Sequence, residues 1–166
     1  MSTMEKNRQI AIYPGAFDPV TYGHIDIINR ATSIFEKVVV AVANNIEKNP
    51  VFTIEERVHF LQKVFNNNKN IEIDSFKGLL VNFLKKRKAN IVIRGLRVFT
   101  DFDYELAYAS MNKKLFPGME TVFLMTNEKY SFISSSLIKE VASLGGCISG
   151  YAPEIVIKSM VNKLKK

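Results

Sequence analysis

Cysteine is nearly absent: Cys147 is the only one in 166 residues. A single thiol excludes an intrachain disulfide and cannot build a zinc cluster. Cys147 itself is expected to be a small, half-buried residue with no chemistry of its own. Long apolar runs are missing too. None reaches the roughly 18 residues that a membrane span needs, and Met1 to Arg8 is polar and charged, without the apolar stretch of a secretory leader. A soluble, cytoplasmic protein is the expectation. The chain also lacks a GxGxxG, a GxxxxGK[ST] and a nucleophile elbow, which weakens dinucleotide, P-loop and serine- or cysteine-nucleophile readings. Histidine is scarce, with only His24 and His59. His59 falls inside a helical pattern beside an apolar stripe and is expected to be structural or solvated.

What is present points to a packed globule. Hydrophobic residues make up 47% of the chain, enough to bury a substantial core. No repeat, low-complexity segment or linker divides it, so residues 1–166 are expected to form a single domain. The formal net charge is +7, which raises the question of nucleic acid. The excess is partly local, in Lys85 to Lys88 and in Lys163, Lys165 and Lys166. Both runs fall where helices should end, where cations complement the helix dipole. They lack the interleaved aromatics of a single-strand-binding surface, so solvated helix ends are expected and nucleic acid is not an expected partner.

Apolar runs of strand length alternate with helical patterns. Strands are predicted at Gln9–Tyr13, Val38–Ala43, Ile71–Phe76, Asn90–Arg94 and Thr121–Met125. Helices are predicted at Gly23–Phe35, after Thr53, at Leu79–Lys88, Asp101–Phe116 and Ser134–Leu144, and after Pro153. Thr53 and Glu56 fit a capping box. Val38 to Ala43 is a continuous Val/Ala run, the pattern of a strand covered on both faces. The alternation predicts an α/β fold: a Rossmann-like, doubly wound, parallel five-stranded sheet with helices on both faces. Such sheets bind ligands beyond the carboxyl ends of their strands.

The chemically useful residues collect at those ends. The first strand is followed by Gly15, Ala16, Phe17 and Asp18, then by Thr21-Tyr22-Gly23-His24 at a helix start. Lys48 follows the second strand, and Arg94, Gly95 and Arg97 follow the fourth. The fifth is followed by Tyr130-Ser131-Phe132-Ile133-Ser134-Ser135-Ser136. A histidine, two arginines, a lysine and a serine-rich helix N-terminus on one rim are phosphate-binding groups.

The motifs Gly15-Ala16-Phe17-Asp18-Pro19 and Thr21-x-Gly23-His24 resemble the T/HxGH signature of the nucleotidyltransferase superfamily. Ile133-Ser134-Ser135-Ser136 with Lys139 is similar to its ISSTxxR-type signature, with serine for threonine and lysine for arginine. The fuller set YPGxFDPxTxGHxD, FTxEER, IRGLR, DFxYE and SFISSSLxKE resembles the bacterial phosphopantetheine adenylyltransferases from about Ile10 to Gly150. That resemblance implies the reaction of ATP with 4′-phosphopantetheine to give dephospho-coenzyme A and pyrophosphate, with Mg2+ carried by the ATP phosphates rather than by protein side chains. It implies that His24 stabilises the transition state. Lys48 and Arg94 are the other catalytic residues and hold the acceptor phosphate. Ala16 and the backbone around Leu80 also meet the acceptor. For ATP it implies Ala16, Phe17, His24, Gly95, Leu96, Arg97, Glu105 and Tyr130 to Ser136. A homo-hexamer, and coenzyme A as a feedback ligand, are implied by the same resemblance.

One residue departs from the family pattern. Position 16 is usually Thr or Ser, and Ala16 leaves only the backbone N–H there. The competing readings are a nucleotidyltransferase of the same superfamily with another acceptor, such as nicotinate mononucleotide, a basic nucleic-acid-binding domain, and a noncatalytic nucleotide sensor.

Overall fold

The computed structural model describes residues 10–44 and 50–164. Its elements are β1 (Ile10–Gly15), α1 (Tyr22–Ala31), β2 (Lys37–Asn44), α2 (Ile54–Val64), β3 (Ile71–Lys77), α3 (Leu80–Arg87), β4 (Ile91–Leu96), α4 (Phe99–Leu115), β5 (Glu120–Met125), a 3-10 turn (Glu128–Tyr130), α5 (Ser135–Ser143) and α6 (Glu154–Leu164). All strand pairs are parallel, in the order β3-β2-β1-β4-β5. The chain winds outward one way through β1, β2 and β3, then returns to the middle and winds the other way through β4 and β5. The switch point lies between β1 and β4.

The Val/Ala run of β2 explains the layering. Val38, Val40 and Val42 face one core with Ile27, Ile28, Phe60, Leu61, Ile138 and Val156. Val39 and Ala41 face the other with Ile12, Leu80, Phe83, Leu84, Val92 and Met119. Successive strand side chains point to opposite faces, so a strand covered twice must be apolar at every position. The Thr53–Glu56 capping box forms as predicted: Glu56 N–H donates to the Thr53 hydroxyl at 3.3 Å and Thr53 N–H to Glu56 Oε2 at 2.8 Å.

Several predicted boundaries shift. α1 ends at Ala31, four residues before Phe35, because the Thr32 hydroxyl turns back to the Asn29 carbonyl at 2.7 Å; such bonds compete with the helix ladder. β1 and β4 run past their predicted ends, since β2 pairs with β1 to Gly15 and β5 pairs with β4 to Leu96. Arg94 and Gly95 therefore lie within a strand, not after it. The basic run 85–88 does close α3, but Arg87 is not simply solvated: it pairs with Glu72 and Asp74 on β3. Lys163 pairs with Glu56 at 2.6 Å. His59 is exposed, and so is Cys147, which the sequence suggested would be half-buried. It stands in the loop after α5, at the open rim of a pocket it shares with Leu137, Ile138 and Val141.

Candidate active site

A cavity of about 300 Å³ opens at the switch point. Its origin is in the register. β1 follows β2 from Ile10 to Gly15, but pairs with β4 only at Ala11↔Ile91 and Ile12↔Val92. Beyond Ile12 the two central strands part, and the crevice between them is lined from both sides. Gly95 keeps it open: a Cβ there would stand 3.2 Å from the Tyr13 hydroxyl and 3.4 Å from Ile27. On the other wall, Phe17 has a left-handed φ of 49° and folds its ring over Gly15, where a Cβ would meet that ring at 2.9 Å.

His24 lines this cavity as the third residue of α1. Its ring completes a capping box in the place a glutamate usually takes. The Thr21 backbone N–H donates to His24 Nδ1 at 3.1 Å, and His24 N–H donates to the Thr21 hydroxyl at 3.3 Å. A backbone N–H can only donate, so Nδ1 is the acceptor and the neutral ring carries its proton on Nε2. Burial, reinforced by the positive charge of Arg97, pushes the His24 pKa down to about 4. At neutral pH the residue is therefore an uncharged imidazole whose remaining N–H is a donor at the cavity. Phe17 packs edge-on against the ring at 5.1 Å between centroids.

The two arginines are held by carboxylates. Arg94 forks onto Glu105, with Nε to Oε2 at 2.5 Å and Nη2 to Oε1 at 2.6 Å. Its Nη1 donates to the Pro14 carbonyl at 3.2 Å, spanning the gap where β1 and β4 separate. The guanidinium also covers the face of Tyr108, 5.2 Å from its centroid. Burial works against the Arg94 charge, but the bonds and charge of Glu105 outweigh it and hold the pKa above the usual arginine value. Arg97 forks onto Asp101 at 3.0 and 3.1 Å, and its backbone N–H binds the same carboxylate at 3.1 Å. Asp101 is half-desolvated, yet the Arg97 bonds keep its carboxyl below the ordinary range.

Two helix N-termini complete the wall. Gly23 and His24 of α1, and Ser134, Ser135 and Ser136 at the start of α5, line the same cavity. Neither helix has an acidic residue in its first turn, whereas α2, α4 and α6 each do. The positive ends of α1 and α5 are thus left uncompensated by side chains, as an anion site requires. Ser134 is the N-cap and accepts from Leu137 N–H at 3.0 Å; the Ser135 hydroxyl donates to the Pro19 carbonyl at 2.8 Å, tying α5 to the β1–α1 loop.

Of the residues expected from sequence, Ala16, Phe17, His24, Arg94, Gly95, Arg97, Glu105, Ile133 and the three serines 134–136 meet at this cavity. Lys48 lies outside the described residues. Leu80 contributes its side chain to the second core and so has only backbone to offer. Leu96 is buried, and its carbonyl accepts from Thr126 N–H at 2.7 Å. Tyr130 stacks on Tyr22, Ser131 bonds the Glu128 carbonyl, and Phe132 packs on Tyr151; these three flank the cavity rather than line it. Lys139, from the second signature, pairs with the buried carboxylate of Asp18 at 2.9 Å. Sequence reading missed Tyr13, Thr126 and Asp101. Two of these carried a signal: Tyr13 heads the YPGxFDP motif, and Asp101 lies four residues after Arg97 within the DFxYE motif.

Comparison with known proteins agrees with this geometry. Residues 12–141 match the cytidylyltransferase-like family model. A phosphopantetheine adenylyltransferase of Caldanaerobacter subterraneus is 52% identical over 158 residues, covering 95% of this chain and 99% of that protein. One from Clostridium novyi is also 52% identical, covering 95% of this chain and 98% of its own. A crystal structure from Vibrio parahaemolyticus, assigned to the nicotinate-nucleotide adenylyltransferases, superposes with a TM-score of 0.72 over 96% of this chain and 97% of its own at 18% identity, a likeness of fold. With a family model across most of its length and relatives of this similarity, the chain belongs to the phosphopantetheine adenylyltransferases of the cytidylyltransferase-like family.

Proposed function

We propose that the protein transfers the adenylyl group of ATP to 4′-phosphopantetheine, giving dephospho-coenzyme A and pyrophosphate. The observation that carries this reading is the convergence of His24, Arg94, Arg97 and two uncompensated helix N-termini on one crevice. It is a site built for several phosphates at once. The acceptor arrives with a phosphate, so its oxygen is already a nucleophile and no base has to remove a proton. That oxygen attacks the α-phosphorus, the bond to the α,β-bridging oxygen breaks, and pyrophosphate departs with the electron pair. Charge crowds around the five-coordinate phosphorus, and catalysis consists of positioning and electrostatic stabilisation. The neutral His24 Nε2–H suits the α-phosphate oxygens. A guanidinium has five N–H groups; Glu105 and Pro14 engage three of those of Arg94, leaving two for the acceptor phosphate. Lys48 is assigned the same phosphate by family resemblance. Arg97 and the α5 amides suit the triphosphate.

Magnesium, expected from the resemblance, is assigned to the nucleotide. Asp101 and Glu105, the carboxylates lining the cavity, are each forked by an arginine and do not fit a protein-held cation. Self-association into the family's hexamer is supported by the apolar side chains that α4 exposes, among them Phe102, Leu106, Met111 and Leu115. Among the described residues no helix is long and apolar enough to cross a membrane; a cytoplasmic setting, where ATP is available, is part of this proposal.

The test is pyrophosphate release from ATP and magnesium with four acceptors: 4′-phosphopantetheine, nicotinate mononucleotide, glycerol phosphate and pantetheine. Turnover is expected with the first alone. Equal rates with nicotinate mononucleotide would leave only the superfamily. Activity with pantetheine would refute the phosphate as nucleophile.

A further inference from the structure

Among the described residues the buried charged side chains are Asp18 and Arg57, and both fasten the loop between β1 and α1. Arg57, on α2, is outside every group assigned above. Its Nη1 donates to the Ala16 carbonyl at 2.8 Å and to the Ala43 carbonyl at 3.3 Å, and its Nε to the Thr53 carbonyl at 3.2 Å. Asp18 accepts from Phe52 N–H at 2.9 Å, Val51 N–H at 3.1 Å and the Lys139 ammonium at 2.9 Å. Burying a guanidinium is costly unless it is paired. Arg57 gives its hydrogen bonds to neutral carbonyls, while the nearby acid, Asp18, is bonded to Lys139. The charges of Asp18 and Glu55 act on Arg57 from nearby, while its hydrogen bonds go to the backbone of the loop and its neighbours.

The bond to Ala16 has a directional consequence. In a trans peptide C=O and N–H point opposite ways. With the Ala16 carbonyl drawn down to Arg57, the Phe17 N–H is turned away from it, on a loop whose residues 16 and 17 both line the cavity. Phe17 holds this orientation with its left-handed φ of 49°. In this chain the orientation matters more than usual, because Ala16 has no hydroxyl and the amides are the donors the loop has left.

We propose that Arg57 is a positioning residue for nucleotide binding, orienting the Ala16–Phe17 peptide toward phosphate and supplying the positive charge beneath it. This rests on the adenylyltransferase reading above. The test compares Arg57→Gln and Arg57→Lys with the wild type by calorimetric ATP titration, steady-state kinetics and thermal unfolding. For Arg57→Gln the ATP Kd and KM are expected to rise about tenfold or more, the equivalent of ~1.4 kcal/mol. kcat at saturation and the acceptor KM should stay within about threefold. Arg57→Lys, which keeps the charge but cannot span three carbonyls, should fall between. Unchanged ATP affinity in folded variants overturns the proposal. So does an equal loss in kcat and both KM values, or failure of both variants to fold, since either makes Arg57 purely structural. A wild type that does not bind ATP sinks the adenylyltransferase reading itself, and this proposal with it.

Discussion

His24 does two jobs with two ring nitrogens, and they can be separated. Nδ1 accepts the Thr21 N–H and closes the helix cap, while Nε2–H is the donor that the proposed mechanism directs at the α-phosphate. Replacing His24 by Asn keeps an acceptor near the Nδ1 position and removes the Nε2 donor. Replacing it by Ala removes both. Loss of one preorganised donor to a developing oxyanion costs about 10²–10³ in kcat, or ~3–4 kcal/mol. Loss of the Thr21 N–H bond costs about 0.5–1.5 kcal/mol, which for a chain of this length is a drop of roughly 1–6 °C in Tm. His24→Asn should therefore unfold near the wild-type temperature with kcat down about 10²–10³. His24→Ala should lose a similar factor in rate and also unfold a few degrees lower. The measurements are single-turnover adenylyl transfer at saturating substrates and thermal unfolding of the same samples. Near-normal turnover in His24→Asn would refute the reasoning. So would an equal loss of stability in the two variants, because the two nitrogens would then not be doing separate work.

Two further outcomes follow from the same geometry. Ala16 is exposed at the cavity, so Ala16→Thr should fold normally and add a phosphate hydrogen bond of about 1 kcal/mol; titration with a non-hydrolysable ATP analogue should show severalfold tighter binding, and lost binding would mean the loop departs from the family geometry. Stability should also depend on acid through His24: its folded pKa, pushed down from 6.5 to about 4, means the unfolded chain takes up the proton first. Its contribution is complete above pH 6.5 and is lost as pH falls toward about 4, so the urea midpoint of wild type relative to His24→Asn should decline through that window, and a constant difference would refute the shift.

Much of this protein is written in local sequence. The period of the apolar residues specified which segments are strands and which are helices. The unbroken Val/Ala run marked β2 as covered on both faces. The capping box at Thr53 and most of the residues that line the cavity near the strand ends could be read directly, because each depends on neighbours a few positions away. What local pattern could not supply is the partner across the fold. The register that parts β1 from β4 after Ile12 depends on how three strands share their hydrogen bonds, and it opens the cavity. Arg57 reads as one more polar residue on an amphipathic helix until the fold brings it to Ala16, 41 residues away. Lys139 reads only as the basic residue of the second signature until the fold pairs it with Asp18, 121 residues distant. Leu80 reads as a helix start open to substrate, and only the packing of α3 commits its side chain to the core. Even at His24 the sequence specified an imidazole at a helix start; the enclosure that desolvates it, and the Arg97 charge that helps keep it neutral, came with the tertiary structure.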